Sequence, residues 1–262
     1  MLKKLWTMAN LLRKFFIICT VIFMASPGFA DMVVKKPAGE EMICSVWLAK
    51  PVLEHKKVKN FGKEEDRVTF KMDVTNFDMS QSGHPALPYL YYRVLIPYGF
   101  ALKKIETIQD LPQKEMLSQK LNFIPQPITP DDYMNPEKRA AWENSQKEDI
   151  AIYSTSDFYK KELLTSEQKI YRGYHVVEFK INPFQYNPVT GELRYHQHMD
   201  LKLTLEKSAE TQNISDRFIR NKENDINFVK DIVVNREELE SYQPAIHKKL
   251  SLTAAQKEEN KK

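Results

Sequence analysis

Residues Ile170 to Glu206 read IYRGYHVVEFKINPFQYNPVTGELRYHQHMDLKLTLE. Two runs of strict alternation dominate this stretch. His175, Val177, Phe179 and Ile181 share one face of the first run, with Glu178, Lys180 and Asn182 on the other. In the second run Leu193, Tyr195, Met199, Leu201, Leu203 and Leu205 point one way, interrupted only by Gln197. Arg194, His196, His198, Asp200, Lys202, Thr204 and Glu206 point the other way, towards solvent. A two-residue period over this length marks half-buried antiparallel strands. Between the runs, Asn187-Pro188-Val189-Thr190-Gly191 offers a fixed φ at proline and a left-handed position at glycine. The stretch therefore predicts one long β-hairpin.

Working outward, Met42–Leu48 and Val68–Met79 predict further strands, the latter with Val68, Phe70, Met72 and Val74 on one face. Asp31–Glu41 reads as a polar lead-in, and residues 50–67 as a charged loop or exposed hairpin edge. Tyr89–Ile96 and Phe100–Gln109, joined through Pro97-Tyr98-Gly99, predict a second hairpin. From Asp110 to Asp149 periodicity lapses and five prolines intervene, with one short helix predicted from Pro136. A connection of that length inside a compact domain usually carries function or disorder. Ile150–Tyr153 predicts a short strand, and Asp225–Tyr242 has Ile226, Val229, Ile232 and Val233 at helical spacing. Many short strands and few helices make this an all-β sandwich with a long proline-rich loop and a charged C-terminal tail.

The N-terminus combines Lys3, Lys4, Arg13 and Lys14 with the apolar run Phe15–Ala25 and a small-residue cleavage point after Ala30. That is a bacterial-type secretory signal peptide over residues 1–30, too short in its apolar part for a comfortable membrane span. The expected divisions are then a sandwich over 31–207, a connector over 208–242 and a tail over 243–262. Of the 39 basic residues four lie in the leader, leaving 35 against 35 acidic ones. The mature body thus lacks the concentrated basic footprint that nucleic acid requires. Cys19 leaves with the leader, so Cys44 stands alone and is read as a small buried hydrophobe.

Candidate chemistry is sparse. His196 and His198 place two imidazoles on one strand face, but a structural metal site wants four ligands, and no second cluster accompanies them. They are read as part of a solvated face, and no metal or cofactor is expected. Asp131 and Asp132 are adjacent loop acids whose carboxylates face apart, and Asn213-Ile214-Ser215 is a bare glycosylation sequon. No nucleophile elbow or phosphate loop is present. The chain is read as a non-enzyme.

Two motifs carry a resemblance. Gly83, Pro85, Leu87 and Pro88 precede a strand that ends at Pro97 and Gly99. Pro183, Gln185, Tyr186, Asn187 and Pro188 form a Pro-x-Gln-Tyr-Asn-Pro turn between two further strands. With Tyr153, Asp157-Phe158-Tyr159 and the connector DIVVNREELESY, these span most of residues 67–242 and resemble the propeptides of gingipain-type cysteine peptidases. The resemblance implies a jelly-roll-like sandwich that assists folding of a gingipain-type protease domain and occludes its active-site cleft, in cis or in trans. It also implies that a basic side chain of a long loop enters the protease's specificity pocket. Lys138 and Arg139 are the candidates, with Lys114 and Lys120 also available. Two alternatives stay open: the N-terminal part of a longer zymogen, and a β-sandwich adhesion or surface-assembly module.

Overall fold

The computed structural model describes residues 30–71, 76–220 and 222–242. The leader up to Phe29, the residues around Met72 and Val74, and the tail from Gln243 lie outside the described residues. Ten strands form β1 (Ala30–Ala38), β2 (Glu41–Leu48), β3 (Leu53–Asn60), β4 (Lys63–Phe70), β5 (Leu90–Leu95), β6 (Phe100–Met116), β7 (Leu164–Tyr171), β8 (Tyr174–Ile181), β9 (Phe184–Tyr186) and β10 (Glu192–Lys207). The helices are α1 (Pro130–Met134), α2 (Pro136–Ser145), α3 (Ile150–Tyr153), α4 (Ala209–Phe218) and α5 (Glu223–Ile232), followed by a 3-10 segment Arg236–Ser241.

The chain is all-β in class. One sheet runs β1-β2-β10-β6, with β9 also paired to β10; a second runs β5-β8-β7; β3 and β4 form a separate hairpin. Their inner faces meet in one core. Met42, Cys44, Val46 and Leu48 of β2 and Leu201, Leu203 and Leu205 of β10 pack in the same buried cluster as Val177, Phe179 and Ile181 of β8. Each such side chain contributes about 1.5–3 kcal/mol of transfer free energy when fully buried. Cys44 is among them, and burial pushes its thiol pKa up to about 12, which leaves it chemically inert.

The two predicted hairpins are not hairpins. β8 pairs with β5 and β7, whereas β10 pairs with β2, β6 and β9, so the two arms of Ile170–Glu206 belong to different sheets. The Asn187–Gly191 turn closes only the short β9 onto β10. Likewise β5 pairs with β8 and β6 with β10, so Pro97–Gly99 carries the chain across the sandwich. Alternation and turn residues identify strands and reversals, but the hydrogen-bonding partner is chosen by the whole fold. A tight hairpin instead joins β7 to β8 through Arg172 (φ 56°) and Gly173 (φ 89°), two left-handed residues as the twist of a two-residue turn requires.

Other expectations also change. The lead-in Asp31–Glu41 is mostly strand β1, an edge strand paired to β2. Residues 50–67 do form a hairpin edge, β3–β4, and the strand predicted over Val68–Met79 ends at Phe70. Ile150–Tyr153 is helical, because the Asp149 carboxylate accepts from the Ala151 and Ile152 amides and starts a turn there.

β8 is buried on both faces, not one. Its outer residues Tyr174 and Val176, with Leu95 of β5, pack against Ile219, Val229, Val233, Leu239 and Tyr242. The connector thus docks as α4, α5 and the 3-10 segment on the outside of the small sheet. Asn235 fastens it, donating to the Leu95 carbonyl (3.0 Å) and accepting from the Leu95 amide (2.8 Å) in the manner of an extra strand residue.

Candidate functional site

The segment expected to be a loop over 110–149 has three parts. Through Met116 it continues β6, so Lys114 lies on a strand opposite Arg194 and pairs with Glu192 at 3.6 Å. Leu121, Phe123 and Ile124 are then buried, bridging to Val68 and Pro85. Residues 125–146 rise from this base as an exposed arm containing α1 and α2, neither of which buries a side chain.

Local sequence explains the two short helices. Thr129 and Asn135 act as N-caps, and Pro130 and Pro136 occupy the first helical position where no amide partner is lost. Lys138 and Arg139 sit in the first turn of α2 with 63% and 51% of their side chains exposed. Lys138 donates to Asp132 at 2.6 Å, which holds that carboxyl below the usual carboxylate range. Arg139 reaches Glu143 at 3.5 Å and lies 5.5 Å from the Tyr133 ring. Exposed pairs of this kind are held only weakly against solvent, so both cations remain available to a stronger acidic partner. Asp131 and Asp132 lie on α1, where Asp132 serves Lys138. Lys120 stands apart at the arm's foot, 3.2 Å from Glu148.

Sequence reasoning missed the residue that organises the foot. Arg67 of β4 is 1% exposed. It donates to Glu148 (2.5 Å), Glu65 (2.5 Å) and the Leu121 carbonyl (3.2 Å), and its guanidinium lies 5.3 Å from the Tyr153 ring and 5.7 Å from that of Phe123. One planar cation thereby ties β4 to both the entry and the exit of the arm. Nothing in the run KEEDRVTF distinguishes it from the surface charges around it.

Further in, Trp142 donates to the Gln126 carbonyl at 2.7 Å, and the Gln146 side chain accepts from the Gln126 amide at 2.8 Å. Gly83 closes the frame, bonding Ile124 through its amide and Asp149 through its carbonyl.

A family model for the C25 peptidase propeptide matches residues 55–235. The chain belongs to this propeptide family. Among solved structures, it is similar to a chain from work on the zymogenic latency of gingipain K from Porphyromonas gingivalis. That match has 18% identity and a TM-score of 0.53, covering 71% of this chain and 97% of the other. It is also similar to a chain from the complex of pro- and mature domains of RgpB from Porphyromonas gingivalis. There the identity is 18% and the TM-score 0.54, with 79% and 97% covered. No curated protein matches.

Within this C25 propeptide the second motif also serves the arm's foot. The buried Tyr186 hydroxyl accepts from the Leu121 amide (3.1 Å), while Tyr153 donates to the Leu121 carbonyl (2.8 Å). Asn187 accepts from the Val189 and Thr190 amides at 3.0 Å each and donates to the Ser156 carbonyl at 2.6 Å. Gln185 donates to the Lys160 and Lys161 carbonyls, both at 3.2 Å. Pro183 and Pro188 are buried, as are Pro85, Leu87 and Pro88 of the first motif. The Pro97–Gly99 turn closes with a bond from the Phe100 amide to Pro97 and accepts from the Ser208 amide at Gly99.

His196 and His198 are not solvated. They are 4% and 6% exposed. His196 Nδ1 lies 2.7 Å from Asp110, and His198 stacks on Trp47 with ring centroids 3.7 Å apart and its Nε2 3.2 Å from Asp200. They do occupy the outer face, but side chains of the adjacent strands, Trp47 of β2 and Asp110 of β6, lie against them. Among the described residues no three His, Cys, Asp or Glu side chains are grouped to hold a metal ion. No helix among the described residues is long and apolar enough to cross a membrane.

Proposed function

We propose that this chain is a secreted, non-catalytic prodomain that binds a gingipain-type cysteine peptidase domain, assists its folding and occludes its active-site cleft. The observation that carries the reading is the α1–α2 arm, whose helices bury no side chain and whose ends are pinned to the sandwich. A pre-shaped protrusion loses little conformational entropy when it enters a cleft. Its Lys138 and Arg139 are the side chains for a pocket with an acid at its base, where a cation is bound by charge-assisted hydrogen bonds. Lys114 and Lys120 lie off the arm and are the poorer choices. The complex between pro- and mature domains of RgpB supports a peptidase domain as partner. Both arrangements, in cis within a longer zymogen and in trans, use the same surface. On this reading a signal peptide over residues 1–30 sends the chain to the periplasm or outside the cell, where the encounter would occur.

The test is inhibition in trans. Purified chain is added to the mature domains of RgpB and gingipain K, and to any peptidase domain encoded in continuation of or beside this one, with a peptide substrate. Inhibition that weakens in the double variant Lys138→Ala/Arg139→Ala is expected. Inhibition untouched by that variant removes the two cations from the mechanism, and absence of any inhibition or binding removes the prodomain role.

A surface-assembly module is the second reading, favoured by one observation. Val33, Trp47, Ile108 and Leu111, all in the larger sheet, are about half exposed. Reversible self-association in sedimentation, lost on Trp47→Ala, would support it.

A further inference from the structure

Among the described residues, His175 is the one buried imidazole that touches the docked connector. It is 2% exposed at the start of β8. Its Nε2 lies 3.1 Å from the Thr211 carbonyl in the first turn of α4, and its Nδ1 lies 3.2 Å from Nε2 of Gln168 on β7. A carbonyl only accepts, so Nε2 carries the proton and Nδ1 must accept from the Gln168 amide. The Gln168 amide cannot turn over freely, because its Oε1 accepts from the Leu102 amide of β6 at 2.8 Å. Every donor and acceptor along Leu102, Gln168, His175 and Thr211 is therefore matched for the neutral ring alone.

Protonating Nδ1 would set an N–H against the Gln168 N–H₂. It would also place a cation in a desolvated pocket beside the positive end of α4. The surrounding charges offer little relief. The Thr211 carbonyl, and after it the Glu210 carboxylate of α4, favour the charged form. From the 3-10 side only the Tyr242 hydroxyl approaches, accepting from the His175 amide at 3.4 Å. The neighbours Gln168 and Leu102, from β7 and β6, are neutral. Burial outweighs these effects and holds the His175 pKa below its ordinary value.

We propose that His175 makes the docking of the connector, residues 208–242, sensitive to acid: the neutral imidazole clips α4 to the sandwich, and its protonation releases the connector while the sandwich stays folded. Two carboxylates also hold the connector, Asp216 accepting from Tyr98 at 2.5 Å and Asp225 pairing with Arg172 at 3.2 Å, and they are unchanged in the variants below; two further clips are uncharged. Ser215 donates to the Gly173 carbonyl at 2.9 Å, and Asn235 binds the Leu95 backbone. Release would expose Leu95, Tyr174 and Val176 and make the connector a better substrate for proteolysis. The sign follows from linkage. A histidine whose folded pKa lies below its unfolded value favours docking above about pH 6.5, and that contribution is lost as pH falls through the window beneath it.

The experiment is hydrogen–deuterium exchange on the full chain at about pH 7.5 and about pH 5, corrected for intrinsic exchange, comparing 208–242 with β10. A rise of about tenfold or more in connector opening, with β10 still protected, is expected. His175→Gln, which keeps a donor for Thr211 and an acceptor for Gln168, should abolish the rise. Gln168→Glu, which gives a protonated ring an acceptor, should also suppress it and serves if the first variant misfolds. Equal opening at both pH values, loss of protection in β10 in parallel with the connector, or acid opening unchanged in a folded variant overturns the proposal.

Discussion

The Asp149 amide donates to the Gly83 carbonyl at 2.9 Å, while the Gly83 amide donates to Ile124 at 2.7 Å. One residue of the first propeptide motif therefore holds the beginning and the end of the exposed arm. Its φ of +85° is open to glycine, and a Cβ there would sit 3.0 Å from the Asp149 nitrogen. Gly83→Ala should cost about 1–3 kcal/mol, combining left-handed strain with the contact. Urea denaturation reads the loss, and limited proteolysis should show first cleavage moving into residues 125–146. A variant as stable and as resistant as the parent would refute this role.

Arg67 should be among the most sensitive polar positions. Arg67→Met leaves Glu148, whose side chain is 10% exposed, with only the half-exposed Lys120 as a cation and should destabilise by about 3–5 kcal/mol. Adding Glu148→Gln should recover part of that loss, since the poorly compensated buried charge goes with it. Denaturation of the single and double variants gives the coupling directly. Additive losses would show that the two side chains act independently.

Glu178 carries the clearest acid dependence. Burial alone would raise its pKa, but hydrogen bonds from Lys169, Tyr171, Tyr91 and Arg93 outweigh that and pull it down to about 2. A carboxylate depressed in the folded state stabilises above its unfolded pKa and loses that contribution as pH falls towards the folded value. Its contribution of roughly 2–3 kcal/mol at neutral pH should fade between about pH 4.5 and pH 2. The stability gap between the parent and Glu178→Gln should narrow over that window. A gap independent of pH would contradict the assignment.

His196 and His198 should confer no metal dependence. Each faces a carboxylate on its own, and they do not converge on a shared point with a third ligand. Melting temperature should be the same with zinc and with chelator. His198→Ala should instead cost about 0.5–1.5 kcal/mol through the lost stack on Trp47. A zinc-dependent rise in melting temperature would overturn both statements.

The split between what could and could not be read in the chain is clearest along Ile170–Glu206. Its alternation placed Val177, Phe179, Leu201, Leu203 and Leu205 in the core, where they lie. The same alternation put His196 and His198 in water, because period two distinguishes faces and says nothing of what covers the outer one. Pairing was invisible for a similar reason. β8 and β10 are consecutive, strongly patterned and joined by turn residues, yet they hydrogen-bond in different sheets.

By itself, then, the sequence determined the all-β class, the existence of β2, β5, β6, β8 and β10, the inward residues of β8 and β10, and the two motifs of a C25 propeptide. All of these follow from local periodicity, turn chemistry and short motifs. Only the tertiary structure decided which strands pair, that the proline-rich segment is a helical arm pinned at its foot, and that Arg67, Gly83 and Tyr186 converge on that foot. Those depend on contacts between residues far apart in the chain, such as Arg67 with Glu148, whose energies arise only once burial has removed the water between them.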